Sequence, residues 1–190
     1  MKNIVLMKKI NKVSEYILSQ HKKGYSFKNL EDPYTLKNEN EAYEVQFEFQ
    51  KNAKRGKIGG YKIALAAKVQ QQLCSINNPI AGGIFKSEIY QSQEIIKLKN
   101  YQSLGLEFEI AFEINQDIFP NTLENEDINI KNYINNAYTC FELIDDRDAS
   151  YNNLDALTLI ADNAWSSGII LSNPNPKWKD FDLNKLNSKL

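Results

Sequence analysis

Two glutamates occupy alternate positions in the segment 106–114, which switches between apolar and polar residues with a period of two. This alternation predicts a β-strand in which Glu107 and Glu109 extend from the same face. Side chains placed in this way lie close enough to share one cation, and they repel each other without one. A solvated outer face of a sheet accounts for the same spacing, so the pair by itself only favours a metal site.

A third acidic residue, Glu142, lies in the mostly apolar run 137–144. Burying a carboxylate in such surroundings costs free energy unless a partner neutralises the charge. Three carboxylates without a histidine suit a hard divalent cation. We therefore expect Mg²⁺ or Mn²⁺ as the cofactor, and not zinc or copper.

The histidine count narrows the chemistry further, because the 190 residues contain only His21. A single imidazole excludes sites that need two, such as HExxH or a histidine-based zinc cluster. His21 lies in a polar stretch at the end of a predicted N-terminal helix, and we interpret it as a surface residue. The sequence also lacks GxGxxG, Walker and GxSxG motifs, so carboxylates, a lysine or a metal must carry any catalysis.

The charge balance and the cysteines limit the partners and the compartment. The net charge is −1, from 23 basic and 24 acidic residues, and no basic excess favours nucleic acid or an anionic membrane surface. No apolar run approaches the length of a membrane span or of a signal-peptide core. Cys74 and Cys140 stand apart without a CxxC motif, and we interpret them as unpaired thiols in a reducing cytoplasm.

Hydrophobic periodicity predicts the elements that position these residues. The first part of the chain has helical spacing, and the later part reads mostly as strands and turns. The predicted helices cover 4–20, 40–54, 66–73, 127–136 and 153–161, and the predicted strands cover 57–65, 84–85, 94–98, 104–115, 137–144 and 168–171. The pattern predicts an α+β fold, with a helical N-terminal cap over 1–56 and a mixed β-sheet domain over 57–190.

Four segments of the chain resemble, in the same order, motifs of the 2-keto-4-pentenoate hydratases, a metal-dependent branch of the fumarylacetoacetate hydrolase superfamily. They are Gly60-Tyr-Lys-Ile-Ala-Leu65, Glu107-Phe-Glu109, Phe141-Glu-Leu-Ile-Asp-Asp-Arg147 and Ile160-Ala-Asp-Asn-Ala164. Each motif alone is weakly specific, but their shared order is more specific, and the resemblance extends from about Ala42 onward. It implies the superfamily's mixed β-sheet domain behind a helical cap.

The resemblance also implies a role for each matched residue. The acidic residues that correspond to the metal ligands are Glu107, Glu109 and Glu142. Lys62 corresponds to an active-site lysine that binds the substrate carboxylate or moves protons. Asp162 and Asn163 correspond to residues near the substrate, where they shape the site by hydrogen bonds. Two plainer interpretations stay open: Lys62 is one of many lysines on an exposed strand face, and Asp162 and Asn163 form a helix-end turn.

The activity implied by the resemblance is addition of water to an unsaturated 2-keto acid, which is a 2-hydroxy-dienoate hydratase reaction. A divalent cation would chelate the carboxylate and 2-keto oxygens and stabilise the charge that develops on them. A 2-keto acid decarboxylase is a close alternative because stabilising an enolate serves both reactions. A C–C bond hydrolase is a third option. The alternative from a different class is a non-catalytic remnant or a partner subunit of such an enzyme.

Two departures from the family pattern bear on these expectations. Pro79-Ile-Ala-Gly82 lacks the acidic residue that follows the proline in some hydratases. An acidic residue near the substrate is therefore missing, and the resemblance is weaker for a dienoate substrate than for the metal site. The chain also ends at Leu190, before the strands that close the β domain in the family. We therefore expect an incomplete β domain that forms a homo-oligomer or pairs with a second polypeptide. Arg147 is a further candidate for a substrate carboxylate, although its acidic sequence neighbours offer nearer partners.

Overall fold

Two helices form the N-terminal part of the chain in the computed structural model, which describes residues 4–119 and 128–186. The first, α1, runs over Ile4–Lys23, and the second, α2, runs over Glu39–Asn52. Gly24 follows the last residue of α1, and its φ of 64° is a left-handed conformation that glycine adopts without a steric penalty. α2 begins after Asn38, whose side chain accepts a hydrogen bond from a backbone N–H of the first turn.

The two helices pack through the apolar residues that helical spacing places on one face of each. Ile10, Val13 and Ile17 of α1 form a buried cluster with Val45 and Phe49 of α2. The helical N-terminal region expected from the sequence is therefore present as a packed pair. The division of the chain into two domains after residue 56 stays a prediction.

Two sheets follow the helices. In the first sheet, β1 (Ile58–Ala64) pairs antiparallel with β2 (Ile80–Phe85). The second sheet has the strand order β3-β6-β5-β4, and these strands run, in that order, over Ile89–Gln91, Ser166–Leu171, Ile134–Asp145 and Leu104–Ile114. The second sheet is mixed, because β3 and β6 are parallel and the other neighbours are antiparallel.

A central hydrophobic cluster joins the helices to both sheets. It includes Ala42 of α2, Ile80 of β2 and Ile144 of β5. Two short helices border it, α3 (Lys68–Leu73) and α4 (Ala156–Ala161). The α+β fold predicted from the sequence, a helical N-terminal region followed by a mixed-sheet domain, is confirmed.

The helix predicted over 127–136 is wrong. Ile130–Tyr133 forms a single 3₁₀ turn, and strand β5 begins at the next residue; residue 127 lies outside the described residues. Ile134 and Ala137 bury their side chains against Trp178, so a tertiary contact overrides the helical spacing that suggested the prediction.

The strand predicted over 94–98 is also wrong. This segment is irregular backbone that enters a 3₁₀ turn at Leu98, and the short strand in this region, β3, ends earlier at Gln91. Ile95 is 80% exposed. The apolar residues that suggested a strand therefore have no sheet to pack against.

The apolar face of β4 remains largely open to solvent. β4 lies at the edge of the second sheet, and its exposed apolar side chains are Leu106, Phe108, Phe112 and Ile114. The ring of Phe108 contacts that of Phe141 from β5 in a tilted arrangement, with the centroids 4.9 Å apart, which extends the same surface. Within the described ranges, no helix combines the length and the hydrophobicity needed to cross a bilayer.

Candidate metal centre

The pairing of β4 with β5 brings the three predicted ligands together. The antiparallel register sets Glu107 directly opposite Glu142, and Glu109 lies two residues along the same face. One carboxylate oxygen from each residue lies within 4.8 Å of the other two. Oxygens bound to one Mg²⁺ or Ca²⁺ ion lie at about 2.0–2.6 Å from it, so they are at most about 5 Å apart. The three carboxylates therefore fit the first shell of a single cation.

The charges of this carboxylate cluster are not balanced by the protein alone. Burial raises the pKa of Glu142 above its usual value, Lys62 opposes the rise, and the charges of Glu107 and Glu109 add to it. Burial also raises the pKa of Glu109, and the neighbouring charge of Glu107 raises it further. Both shifts mean that negative charge is unfavourable in the cluster until a cation reduces it.

Lys62 supplies the only positive side chain in contact with the cluster among the described residues. It extends from β1, and its Nζ lies 2.6 Å from Oε1 of Glu142. Both side chains are more than nine-tenths buried, so the interpretation of Lys62 as an exposed strand lysine is wrong. The two neighbours of Lys62, Tyr61 and Ile63, point to solvent, as strand alternation requires. One ammonium against three carboxylates leaves two negative charges, which matches a divalent cation.

The carboxylate cluster opens into a cavity of about 310 Å³ between the two sheets and α4. Lys62, Glu107 and Glu109 form its charged part. The remaining wall is mostly apolar and includes Leu65, Ile144, Leu154, Leu159 and Trp165. Its volume is at the lower end of the range of about 300–1,000 Å³ found for small-molecule sites.

Asn163 anchors the segment after α4 to strand β2. Its side-chain oxygen accepts hydrogen bonds from the backbone N–H of Gly83 at 2.7 Å and from Gln50 at 2.8 Å. Its amide nitrogen donates to the carbonyl of Gly83 at 2.8 Å. Neither Asp162 nor Asn163 belongs to the residues that line the cavity, whereas Ala164 and Trp165 do. The substrate-binding role of Asp162 and Asn163 stays a prediction. Their contacts favour a role in shaping the wall of the cavity.

Three consecutive residues after α4 have left-handed backbone conformations. The φ angles are 58° at Asn163, 50° at Ala164 and 57° at Trp165. Alanine and tryptophan rarely adopt such angles, so surrounding contacts must hold the segment. β2 leaves room for it at Gly82, where an added Cβ would lie 2.6 Å from the carbonyl oxygen of Asn163.

Asp162 forms a buried ionic network that the sequence did not predict. Its two oxygens bind His21 from the end of α1 and Arg147 from the loop after β5. The Arg147 side chain is therefore paired with Asp162 and not with its acidic sequence neighbours. The interpretation of His21 as a surface residue is wrong, since its side chain is 30% exposed and packs on Phe49. The signal was present, because His21 continues the buried spacing of α1 four residues after Ile17.

The sequence also did not predict two aromatic residues at the cavity. Tyr151 and Trp165 line it and meet edge to face, with ring centroids 5.6 Å apart. The Tyr151 hydroxyl donates a hydrogen bond to Asp146 at 2.7 Å, and burial together with this contact raises its pKa. Tyr151 begins one three-residue 3₁₀ turn and Trp165 ends another, and such turns are too short for periodicity to reveal which way a side chain points.

The comparisons with known proteins identify the fold. No family model and no curated protein matches the sequence. Two solved structures of 4-oxalocrotonate decarboxylase from Pseudomonas putida G7 do match at 18% identity over 93% of this chain. The complex with magnesium and adipate gives a TM-score of 0.78, and the complex with calcium and acetate gives 0.76. This chain spans about two thirds of their length, 67% and 66% respectively, and the likeness supports the α+β assignment.

Proposed function

We propose that this chain is, or is part of, a divalent-metal-dependent enzyme of the fumarylacetoacetate hydrolase superfamily that acts on 2-keto acids. The observation that carries the proposal is the convergence of Glu107, Glu109 and Glu142 within 4.8 Å beside the buried Lys62. Structures with the same fold contain magnesium or calcium together with a carboxylic acid, which supports the choice of ligands. The all-oxygen donor set fits Mg²⁺ or Mn²⁺.

The proposed reaction is hydration of an unsaturated 2-keto acid such as a 2-hydroxy-dienoate. A bound divalent cation supplies charge stabilisation at the carboxylate and 2-keto oxygens of the substrate. Glu107, Glu109 and Glu142 hold the cation in this scheme. Lys62 is fixed by its ion pair with Glu142 at the edge of the cavity, where its ammonium binds the substrate carboxylate or delivers a proton.

Decarboxylation of a 2-keto acid is the second candidate reaction at the same site. The specific observation in its favour is that both similar structures carry the name of a decarboxylase. Metal-assisted stabilisation of an enolate serves hydration and decarboxylation alike, so the carboxylate cluster does not separate them. A C–C bond hydrolase and a non-catalytic partner subunit are the remaining alternatives.

The surroundings of the site suggest how the rest of the chain contributes. Asp162 and Asn163 shape the cavity by holding the segment that carries Ala164 and Trp165, and the first 56 residues cap the sheet domain. The exposed edge and apolar face of β4 favour self-association or pairing with a second polypeptide. The buried, unpaired Cys74 and Cys140 agree with a reducing cytoplasm.

The test of the proposed function is turnover of 2-hydroxypenta-2,4-dienoate, followed by ultraviolet absorbance with and without Mg²⁺ or Mn²⁺. We expect activity only with metal, and we expect no release of CO₂ from 2-oxohex-3-enedioate. Release of CO₂ from that acid, without hydration of the dienoate, would instead establish the decarboxylase. Absence of both reactions, in the presence of any subunit that co-purifies with the chain, would favour the non-catalytic alternative.

A further inference from the structure

The lining of the cavity contains three neutral polar side chains besides its charged part. They are Gln70, Tyr151 and Trp165. Gln70 is exposed, and its side-chain oxygen accepts a hydrogen bond from the backbone N–H of Ala67 at 3.3 Å, at the start of α3. Tyr151 and Trp165 meet edge to face at the wall of the cavity, and each leaves a different hydrogen-bonding capacity unused.

Trp165 brings a hydrogen-bond donor without a partner to this wall. The residue is 8% exposed, and its indole Nε1 is buried and makes no hydrogen bond to any described residue. Edge-to-face contacts with Phe27, at 5.1 Å between the ring centroids, and with Tyr151 hold the ring in place. Because a buried N–H without an acceptor is unfavourable, an acceptor supplied by a ligand would stabilise the protein here.

An unpaired indole N–H does not make a binding site by itself. Trp178 also has a buried Nε1 without a partner, but it packs against Ala137 and Phe112 and does not line the cavity. Trp165 differs from Trp178 because its ring forms part of the cavity wall, next to a second polar group of complementary character.

That second group is the hydroxyl of Tyr151, which is an acceptor. It donates its only hydrogen to Asp146 at 2.7 Å, and the other oxygen of Asp146 accepts from the backbone N–H of Asp148 at 3.0 Å, which fixes the carboxylate. Burial, the bond to Asp146 and the charge of Glu107 raise the pKa of Tyr151, so the hydroxyl keeps its hydrogen at neutral pH. With this hydrogen bound to Asp146, the Tyr151 oxygen offers the cavity only its lone pairs.

A donor beside an acceptor complements a hydroxyl group. A hydroxyl accepts through its oxygen and donates through its hydrogen, so it can satisfy both sides. A ketone or carboxylate oxygen only accepts and an ammonium only donates, so each of these would satisfy one side alone. Among the candidate reactions, hydration adds a hydroxyl to the carbon chain of a 2-keto acid, whereas decarboxylation adds none.

We propose that Trp165 and Tyr151 bind the hydroxyl group that hydration adds to the substrate, with the indole N–H donating to its oxygen and the Tyr151 oxygen accepting its hydrogen. The inference rests on the proposed function and deepens it, because it assigns residues to the part of the ligand that a cation does not hold. The carboxylate cluster and Lys62 bind the 2-keto acid group, and the two rings recognise the hydroxyl at C4.

The test uses a matched pair of ligands, 4-hydroxy-2-oxopentanoate and 2-oxopentanoate, which differ only in the hydroxyl at C4. Their dissociation constants are measured by isothermal titration calorimetry on the full chain in saturating Mg²⁺, with each enantiomer of the hydroxy acid measured separately. We expect one enantiomer to bind about tenfold more tightly than 2-oxopentanoate, a difference of about 1.4 kcal/mol. Equal binding of all three compounds would overturn the inference and leave the proposed function standing.

Two variants assign this preference to the two rings. Trp165→Phe removes the indole N–H and keeps an aromatic ring, and Tyr151→Phe removes only the hydroxyl. We expect each variant to reduce the ratio of the dissociation constants at least about threefold, because each removes one of the two hydrogen bonds. Tyr151 is 55% exposed, so its variant keeps the test decisive even if Trp165→Phe disturbs the core.

Each variant has a matched control that leaves the cavity unchanged. Trp178→Phe removes the other buried and unpaired indole N–H. Tyr138→Phe removes a hydroxyl that is also bonded to a carboxylate, that of Glu113 at 3.1 Å. Neither Trp178 nor Tyr138 lines the cavity, and we expect both controls to keep the ratio of the wild type.

The outcomes separate the inference from the function on which it rests. If neither acid binds although Mg²⁺ binds, the 2-keto acid function fails, and the inference fails with it. If the hydroxy acid binds more tightly but the Trp165 and Tyr151 variants keep the ratio of the wild type, other residues recognise the hydroxyl and the assignment is wrong. A reduced ratio in these two variants, with an unchanged ratio in both controls, supports the proposal.

Discussion

Replacing Glu109 by alanine should change the stability of the protein in opposite directions without and with metal. The charged oxygens of Glu107 and Glu109 lie within 4.8 Å of each other. Two like charges at this separation repel by about 1 kcal/mol in water, and by about 3–4 kcal/mol at an effective dielectric constant near 20. The lower figure applies because both side chains remain in contact with solvent, although Glu109 is partly buried. Glu109→Ala should therefore raise the melting temperature of the metal-free protein by about 2–4 °C.

With Mg²⁺ present the order should reverse, because the variant loses a ligand. At a free Mg²⁺ concentration a hundred times the dissociation constant, binding stabilises the wild type by about 2.7 kcal/mol. For a chain of this length the gain corresponds to a rise of about 5–11 °C. A variant that binds about 100-fold more weakly keeps only about 0.4 kcal/mol of this stabilisation at the same concentration.

The assay is differential scanning calorimetry with and without MgCl₂ at matched ionic strength. Glu113→Ala is the control, since Glu113 lies on the same strand face but outside the carboxylate cluster, where Tyr138 and Asn136 donate hydrogen bonds to it. We expect the control to respond to Mg²⁺ as the wild type does. Equal responses of the two glutamate variants would refute the assignment of Glu109 as a ligand.

Three further predictions concern the Lys62–Glu142 ion pair, the pH dependence of the metal effect and the anchoring of the cavity wall by Asn163. Lys62→Ala should destabilise the metal-free protein by about 3–5 kcal/mol in urea unfolding, because it leaves the buried Glu142 unpaired. Mg²⁺ should recover part of this loss while turnover stays low, and full activity of the variant would exclude a catalytic role. The rise in melting temperature caused by Mg²⁺ should shrink as the pH falls from 7 toward 5, because the raised pKa values of Glu109 and Glu142 let protons compete with the metal. Without metal, the melting temperature should rise as the pH falls from 7 toward 5, because a carboxyl whose folded pKa is raised above 4.5 destabilises the fold progressively as pH increases past that value. A rise in melting temperature with Mg²⁺ that does not depend on pH would contradict the assignment of the ligands. Asn163→Ala should cost about 2–4 kcal/mol by removing hydrogen bonds to Gly83, and a loss below 1 kcal/mol in the same urea assay would exclude the proposed anchoring.

The sequence was most informative where strand alternation alone decides the outcome. The period of two placed Glu107 and Glu109 on one face, and the apolar run marked Glu142 as a carboxylate that needs a neutralising partner. That Glu142 lies opposite Glu107 depends on how β4 pairs with β5, which is a contact between distant segments. In advance, the resemblance to a family implied only that Glu142 joins Glu107 and Glu109 as a ligand, and not how the strands pair.

Other parts of the site left little or no local signal. Lys62 of β1 is buried in an ion pair with Glu142 of β5, a contact between distant segments that its own strand does not encode. The left-handed run at Asn163, Ala164 and Trp165 is held by contacts to β2, and nothing in those residue types predicts it. For His21 the helical spacing did carry the signal, but its polar surroundings favoured the surface interpretation.

The most direct test of the account is the anomalous diffraction of Mn²⁺ in crystals of this protein. We predict one peak between Glu107, Glu109 and Glu142, at about 2.0–2.6 Å from an oxygen of each carboxylate. The same peak should be missing in crystals of Glu109→Ala and present in crystals of Glu113→Ala. A peak elsewhere on the chain, or no peak at a saturating Mn²⁺ concentration, would contradict the proposal that these three carboxylates form a metal centre.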